Sequence, residues 1–102
     1  RRVALLEGVP PGLVLPEVGR RMAAVDGVVS VHDLHIWSLS SRRAALSAHV
    51  VVRDLESWPQ ILAETTELLH SAFEIDHSTL QPELFRPALY AIGEPEKPRA
   101  NP

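Results

Sequence analysis

The chain has 102 residues, 45% of them hydrophobic, with 10 Lys and Arg against 13 Asp and Glu for a net charge of −3. That length suits one core and excludes two ordinary domains, and the charge offers no basic field for a phosphate backbone, so nucleic acid is not expected as a partner. There is no Cys, so disulfides, thiolate zinc ribbons and thiol nucleophiles fall away together, and any metal must be held by imidazole and carboxylate.

No apolar run approaches the ~20 residues that span a bilayer, and no leader resembles a signal peptide, so this piece is expected to be soluble. Arg1 stands where a Met would begin a protein, which reads as a start inside a longer chain. Arg1 and Arg2 would suit the cytoplasmic flank of a preceding span.

Pro10-Pro11-Gly12 marks a turn. Leu15, Val18, Met22 and Val25 then recur at helical spacing until Asp26-Gly27, which predicts a short first helix. Val28 to about Ser40 reads as a strand and Ala44 to Arg53 as a second, with Ser41, Arg42 and Arg43 at the hairpin tip. Ser57 with Gln60 fits a capping box, and Trp58, Ile61, Leu62, Thr65, Leu68, Leu69 and Ala72 follow at helical intervals. Ser78 to Glu83 reads as a third strand ending near Pro82. The result is an α+β domain of order α-β-β-α-β, with helices on one face of a three-stranded sheet. It is placed at residues 1–84. The tail at 85–102 is rich in proline, Gly93 to Pro102 being expected to be disordered, while Phe85, Leu89, Tyr90 and Ile92 are expected to dock weakly.

Strand alternation decides which histidines meet. In the second strand Ala44, Leu46, Ala48, Val50 and Val52 form the apolar face, so His49 points away from the helices. An even hairpin loop places His49 on the face of His32, Leu34 and Ile36; with a loop at Ser41-Arg42 it faces Leu34, with His32 a diagonal neighbour at roughly 7–8 Å. An odd loop groups His49 with Asp33, His35 and Trp37. The even loop is preferred because Val29, Val31, Trp37 and Leu39 best match the apolar face, at the cost of turning Asp33 and His35 toward the helices. In the third strand His77 and Glu83 share a face but stand roughly 20 Å apart, so only one can join the hairpin. A crossover laying the third strand parallel to the second selects Glu83, and two His with one carboxylate is a zinc ligand set.

Each of these residues also has a plain structural reading: His35 as a hydrogen-bonded strand residue, His70 as solvated, Trp58 and Phe73 as core. An enzyme reading lacks a nucleophile motif, a glycine-rich phosphate loop and a catalytic carboxylate pair, so no enzyme is expected. A ferredoxin-like dimerisation or small-molecule-binding module without a metal role is the competing reading.

Three motifs, Val31-His32-Asp33-Leu34-His35-Ile36-Trp37-Ser38-Leu39, Leu46-Ser47-Ala48-His49-Val50 and His77-Ser78-Thr79-Leu80-Gln81-Pro82-Glu83, together resemble the cytoplasmic C-terminal domain of the cation diffusion facilitator family, the zinc, cobalt and cadmium exporters. Leu5-Leu6-Glu7-Gly8 is similar to the segment after that family's last membrane helix, and the likeness covers about residues 3 to 83. It implies a ferredoxin-like, metallochaperone-like fold, a homodimer on the cytoplasmic side of a membrane, and a metal-sensing regulatory role beside a transmembrane domain. It also implies metal ligands at His32, His49 and Glu83, with His77 a further metal candidate toward the membrane part. The set suits Zn²⁺ and equally Cd²⁺, Co²⁺ or Ni²⁺. Leu34, Ile36 and Val51 are expected to give this face its apolar contact.

Overall fold

The structure, a computed structural model, describes residues 12–40 and 43–86. The expectations for the start of the chain, for Ser41 and Arg42 at the hairpin tip, and for the tail from residue 87 onward lie outside the described residues.

Gly12 turns the chain with φ of 87°, and Val14, extended, precedes helix α1, Leu15–Ala23. Pro16 occupies the first turn, where a missing N–H costs nothing. Val18 and Met22, one turn apart, are both fully buried. The chain leaves α1 through Gly27, whose φ of 95° favours glycine, and a Cβ there would stand 2.9 Å from Ile61 Cδ1.

Strand β1, Val28–Ser40, and strand β2, Arg43–Val52, form an antiparallel pair, and β3, His77–Leu84, adds to β2 in parallel, giving the order β1-β2-β3. A parallel neighbour needs a crossover, supplied by helix α2, Trp58–Phe73. Ile61, Thr65 and Leu69 of α2 are buried at helical spacing. With Val18 and Met22 they cover the sheet face made by Ile36, Leu46, Ala48, Val50 and Val52. The order and one-sided helices read from the sequence are those observed.

The capping box at Ser57 is not formed. Ser57 has no side-chain cap bond; its N–H donates to Asp54 Oδ1 at 2.9 Å, and the Gln60 amide turns to Glu64 at 3.1 Å. Asp54 thus orders the turn that leads into the helix rather than capping it. At the other end Glu74 adopts φ of 58°, and Ile75 N–H reaches back to the Leu69 carbonyl, a Schellman ending that returns Ile75 to the core.

Strand β1 departs from simple alternation. Ser40 pairs with Arg43 as a two-residue loop requires, but the register slips between Ser38 and Ser40, between His32 and His35, and between Val28 and Ser30. Each bulge inserts one unmatched residue and exchanges the faces of the residues beyond it. Counted from the hairpin, the first slip sends Ile36 inward against Leu46, fully buried, and leaves Trp37 39% and Leu39 50% exposed. Leu34 also packs against the core. The expectation that Leu34 and Ile36 give the outer face its apolar contact, with Trp37 and Leu39 toward the helices, is therefore corrected. Val51, partner of Glu83, stays outward.

Candidate metal centre

The second slip in β1 turns His32 outward and sets it directly opposite His49, a closer relation than the diagonal one expected. Their ring centroids are 5.0 Å apart at 52°. Glu83 reaches the same spot from β3, where it is the partner of Val51, two residues from His49 along β2. His32 Nε2 lies 2.8 Å from Glu83 Oε1, and His49 Nδ1 contacts Glu83 Oε2. One carboxylate thus bridges two imidazoles from two different strands. All three rest on the sheet face away from the helices, so no helix blocks access to them. Their side chains keep 45%, 35% and 36% of their surface exposed, for His32, His49 and Glu83 in turn. Ions from solvent can reach them.

The bridge shifts the titration of its members. The Glu83 hydrogen bond, with help from Asp33, raises His32 above its usual 6.5, against a smaller effect of burial. Hydrogen bonds from His49 and then His32 hold Glu83 below its usual 4.5. Metal ligation needs neutral imidazole, so a cation held by these residues would compete with the proton between His32 and Glu83.

Whether a metal suits this trio is tested by its donors. One atom from each residue, all within 4.8 Å of one another, supplies two nitrogens and an oxygen. Ligands about 2.0–2.1 Å from a tetrahedral ion stand roughly 3.3 Å apart, close to the spacing these atoms already have. Among the described residues no other group of three His, Asp or Glu meets that spacing. The donor set fits a borderline cation and leaves a coordination position for water or another ligand.

The remaining candidates fall elsewhere. His77 sits at the other end of β3, opposite Ala45, with its ring against Arg43. His70 pairs with Asp76 at 2.6 Å across the end of α2 and is raised by that bond. Two residues that the preferred even loop turns toward the helices lie near the centre instead. His35, opposite Ser47, lines an open groove with Asp33, His49, Thr79 and Gln81 on the outer face rather than turning to the helices. Asp33 Oδ2 lies 3.2 Å from His32 Nδ1. Alternation would send adjacent residues to opposite faces, and only the bulge, with Asp33 at φ of 53°, brings them to one. The strand-disfavouring Asp33 is the one sequence signal at that bulge, and alone it does not fix the position.

Residues 10–85 match the family described as cation efflux protein, cytoplasmic domain, whose short name is ZT_dimer. The metal cation efflux system protein CzcD of Cupriavidus metallidurans is 46% identical over 82 residues, covering 78% of this chain and 26% of that protein. The human proton-coupled zinc antiporter SLC30A8 is 40% identical over 81 residues, covering 79% of this chain and 22% of the antiporter. The chain thus spans about a quarter of the length of these relatives. Among solved structures, the metal-bound C-terminal domain of the C. metallidurans CzcD transporter superposes with a TM-score of 0.65 at 41% identity, covering 71% of this chain and 100% of that one. A variant of the MamM CTD, at 13% identity and a TM-score of 0.62, shares the fold.

Proposed function

The chain belongs to the cation efflux proteins as their cytoplasmic domain, and on that premise we propose that it is a metal-sensing, dimerising regulatory domain of a divalent-cation efflux transporter. One observation carries the reading: His32, His49 and Glu83, from three strands, place their donor atoms within 4.8 Å of one another on the sheet face that the helices leave open. His32 Nε2, His49 Nδ1 and a Glu83 oxygen are the ligands, and Zn²⁺ is the first candidate, with Cd²⁺, Co²⁺ and Ni²⁺ suited to the same donors. His77, beside Arg43, is at most a separate contact toward the membrane part. Bound metal neutralises Glu83 and ties β1, β2 and β3 together at the outer face.

Further parts of this reading are a homodimer through the same domain, a transmembrane domain in the same protein, and a cytoplasmic position for the domain at the membrane. The CzcD and SLC30A8 relatives, each about four times as long as the matched segment, support them. Transport chemistry belongs to the membrane part.

Zinc calorimetry on the 102-residue chain beside His32→Ala and His49→Ala tests the site. The wild type should bind and both variants should lose that heat; unchanged heat and stoichiometry in both would sink the assignment. Small-angle scattering tests the dimer, which should close on zinc addition; a monomer with and without zinc counts against it. The closed hydrogen-bond chain His32–Glu83–His49 favours a second reading, a dimerisation module whose trio is purely structural. Its signature is a stable dimer whose melting temperature ignores zinc.

A further inference from the structure

We infer that Asp33 is a positioning residue for the metal centre: it holds His32 in the tautomer that presents Nε2 to the ion. The inference rests on the metal-site reading above. The two nitrogens of an imidazole point away from each other across the ring, so a carboxylate on Nδ1 cannot share an ion held at Nε2. His32 Nε2 faces Glu83 and Nδ1 faces Asp33, at 2.8 and 3.2 Å. Asp33 is therefore outside the ligand set, acting through the ring. An imidazole whose far nitrogen donates to a carboxylate is fixed in orientation and made a stronger donor.

The backbone supports the same assignment. Asp33 stands in the bulge between His32 and His35 at φ of 53°, a left-handed conformation that Asp and Asn enter more readily than other side chains. It is about half exposed, and its carboxylate has no other hydrogen-bond partner among the described residues. It fills no core space. The one slip that turns His32 outward thus also delivers the carboxylate to its ring.

Two variants separate this role from a merely structural one. Asp33→Gly keeps the left-handed backbone and removes the carboxylate; Asp33→Asn keeps backbone and shape and removes the charge. Zinc affinity of the 102-residue chain, read by calorimetry, should fall about 10–100-fold in Asp33→Gly and by less in Asp33→Asn. Imidazole ¹⁵N spectra of the zinc-loaded wild type should show His32 protonated at Nδ1 alone, and Asp33→Gly should blur that signature. Wild-type affinity and an unchanged His32 tautomer in Asp33→Gly would overturn the inference while leaving the site intact, provided His49→Ala still loses zinc. A fall in affinity accompanied by loss of the His32–His49 cross-strand contacts would also overturn it, because the bulge and not the carboxylate would then be responsible. A wild type that binds no zinc would remove the inference together with the reading beneath it.

Discussion

His32 and His49 face each other across the β1/β2 pair, and the single carboxylate of Glu83 contacts a nitrogen of each ring. As it stands the arrangement holds a proton, and on the proposed reading the same atoms would serve as a donor set for a metal. The two states want opposite protonation of His32, so pH should move them in opposite directions.

His32 is raised above 6.5, so its contribution to stability is fully present below that value and is lost as pH rises through the raised value. Glu83 is lowered below 4.5, so its contribution is present above 4.5 and is lost as pH falls through the lowered value. Both are in force between about pH 4.5 and 6.5. His70, raised by Asp76, acts in the same direction as His32. The quantity to measure is thus the difference in melting temperature between wild type and Glu83→Gln. It should be largest near pH 5.5 and shrink on both sides; a difference that grows steadily to pH 8 contradicts the bridge.

Zinc should reverse the trend. Stabilisation by a ligand that binds only the folded state grows with its affinity, and that affinity rises as His32 gives up its proton. Saturating zinc is expected to raise the melting temperature more at pH 7.5 than at pH 5.5, and His49→Ala should lose the increment at both. Thermal melts in a non-chelating buffer decide the matter, and equal increments at the two pH values would show that His32 is not a ligand.

The bulge between Ser38 and Ser40 yields a packing prediction. Ile36 is fully buried against the core, whereas Leu39 is 50% exposed. Ile36→Ala should cost about 2–5 kcal/mol, and Leu39→Ala about 0.5 kcal/mol or less. Urea unfolding of the two variants measures both. Simple alternation from the hairpin tip predicts the reverse order.

That reversal marks the limit of what is legible in the sequence. Apolar periodicity locates both helices and the strands, because Val18 with Met22 and Ile61 with Leu69 recur at one helical turn and its multiples, and because from Leu46 to Val52 buried residues alternate with half-buried ones. Glu83 is separable from His77 by strand length alone. The faces of β1 are not readable beyond its first slip, since Leu39 there is an ordinary strand residue, and an Asp such as Asp33, although it tolerates a left-handed backbone, is too weak a mark to place a bulge by itself. An unbroken register assigns His32 and His49 to one face. The structure puts them there through two successive slips, which together restore the parity and advance the pairing by two residues. Asp33 and His35 are misplaced by the sequence for the same reason.

Thr65 offers a test of the core that is independent of the metal centre. It lies on the inward stripe of α2 between Ile61 and Leu69, 1% exposed, and its hydroxyl has no hydrogen-bond partner among the described residues. A buried hydroxyl that has left water without finding an acceptor opposes folding, while its methyl group packs as valine would. Thr65→Val keeps the shape and removes the unsatisfied group, and the loss of helix propensity is negligible because both residues are β-branched. The variant should be more stable by about 1 kcal/mol, a rise of roughly 4–8 °C in melting temperature for a domain of this size. Zinc binding should be unchanged, since α2 covers the sheet face opposite the trio. A destabilised Thr65→Val would mean that the hydroxyl bonds a backbone carbonyl of its own helix or a trapped water, and that this part of the core is wetter than its packing shows.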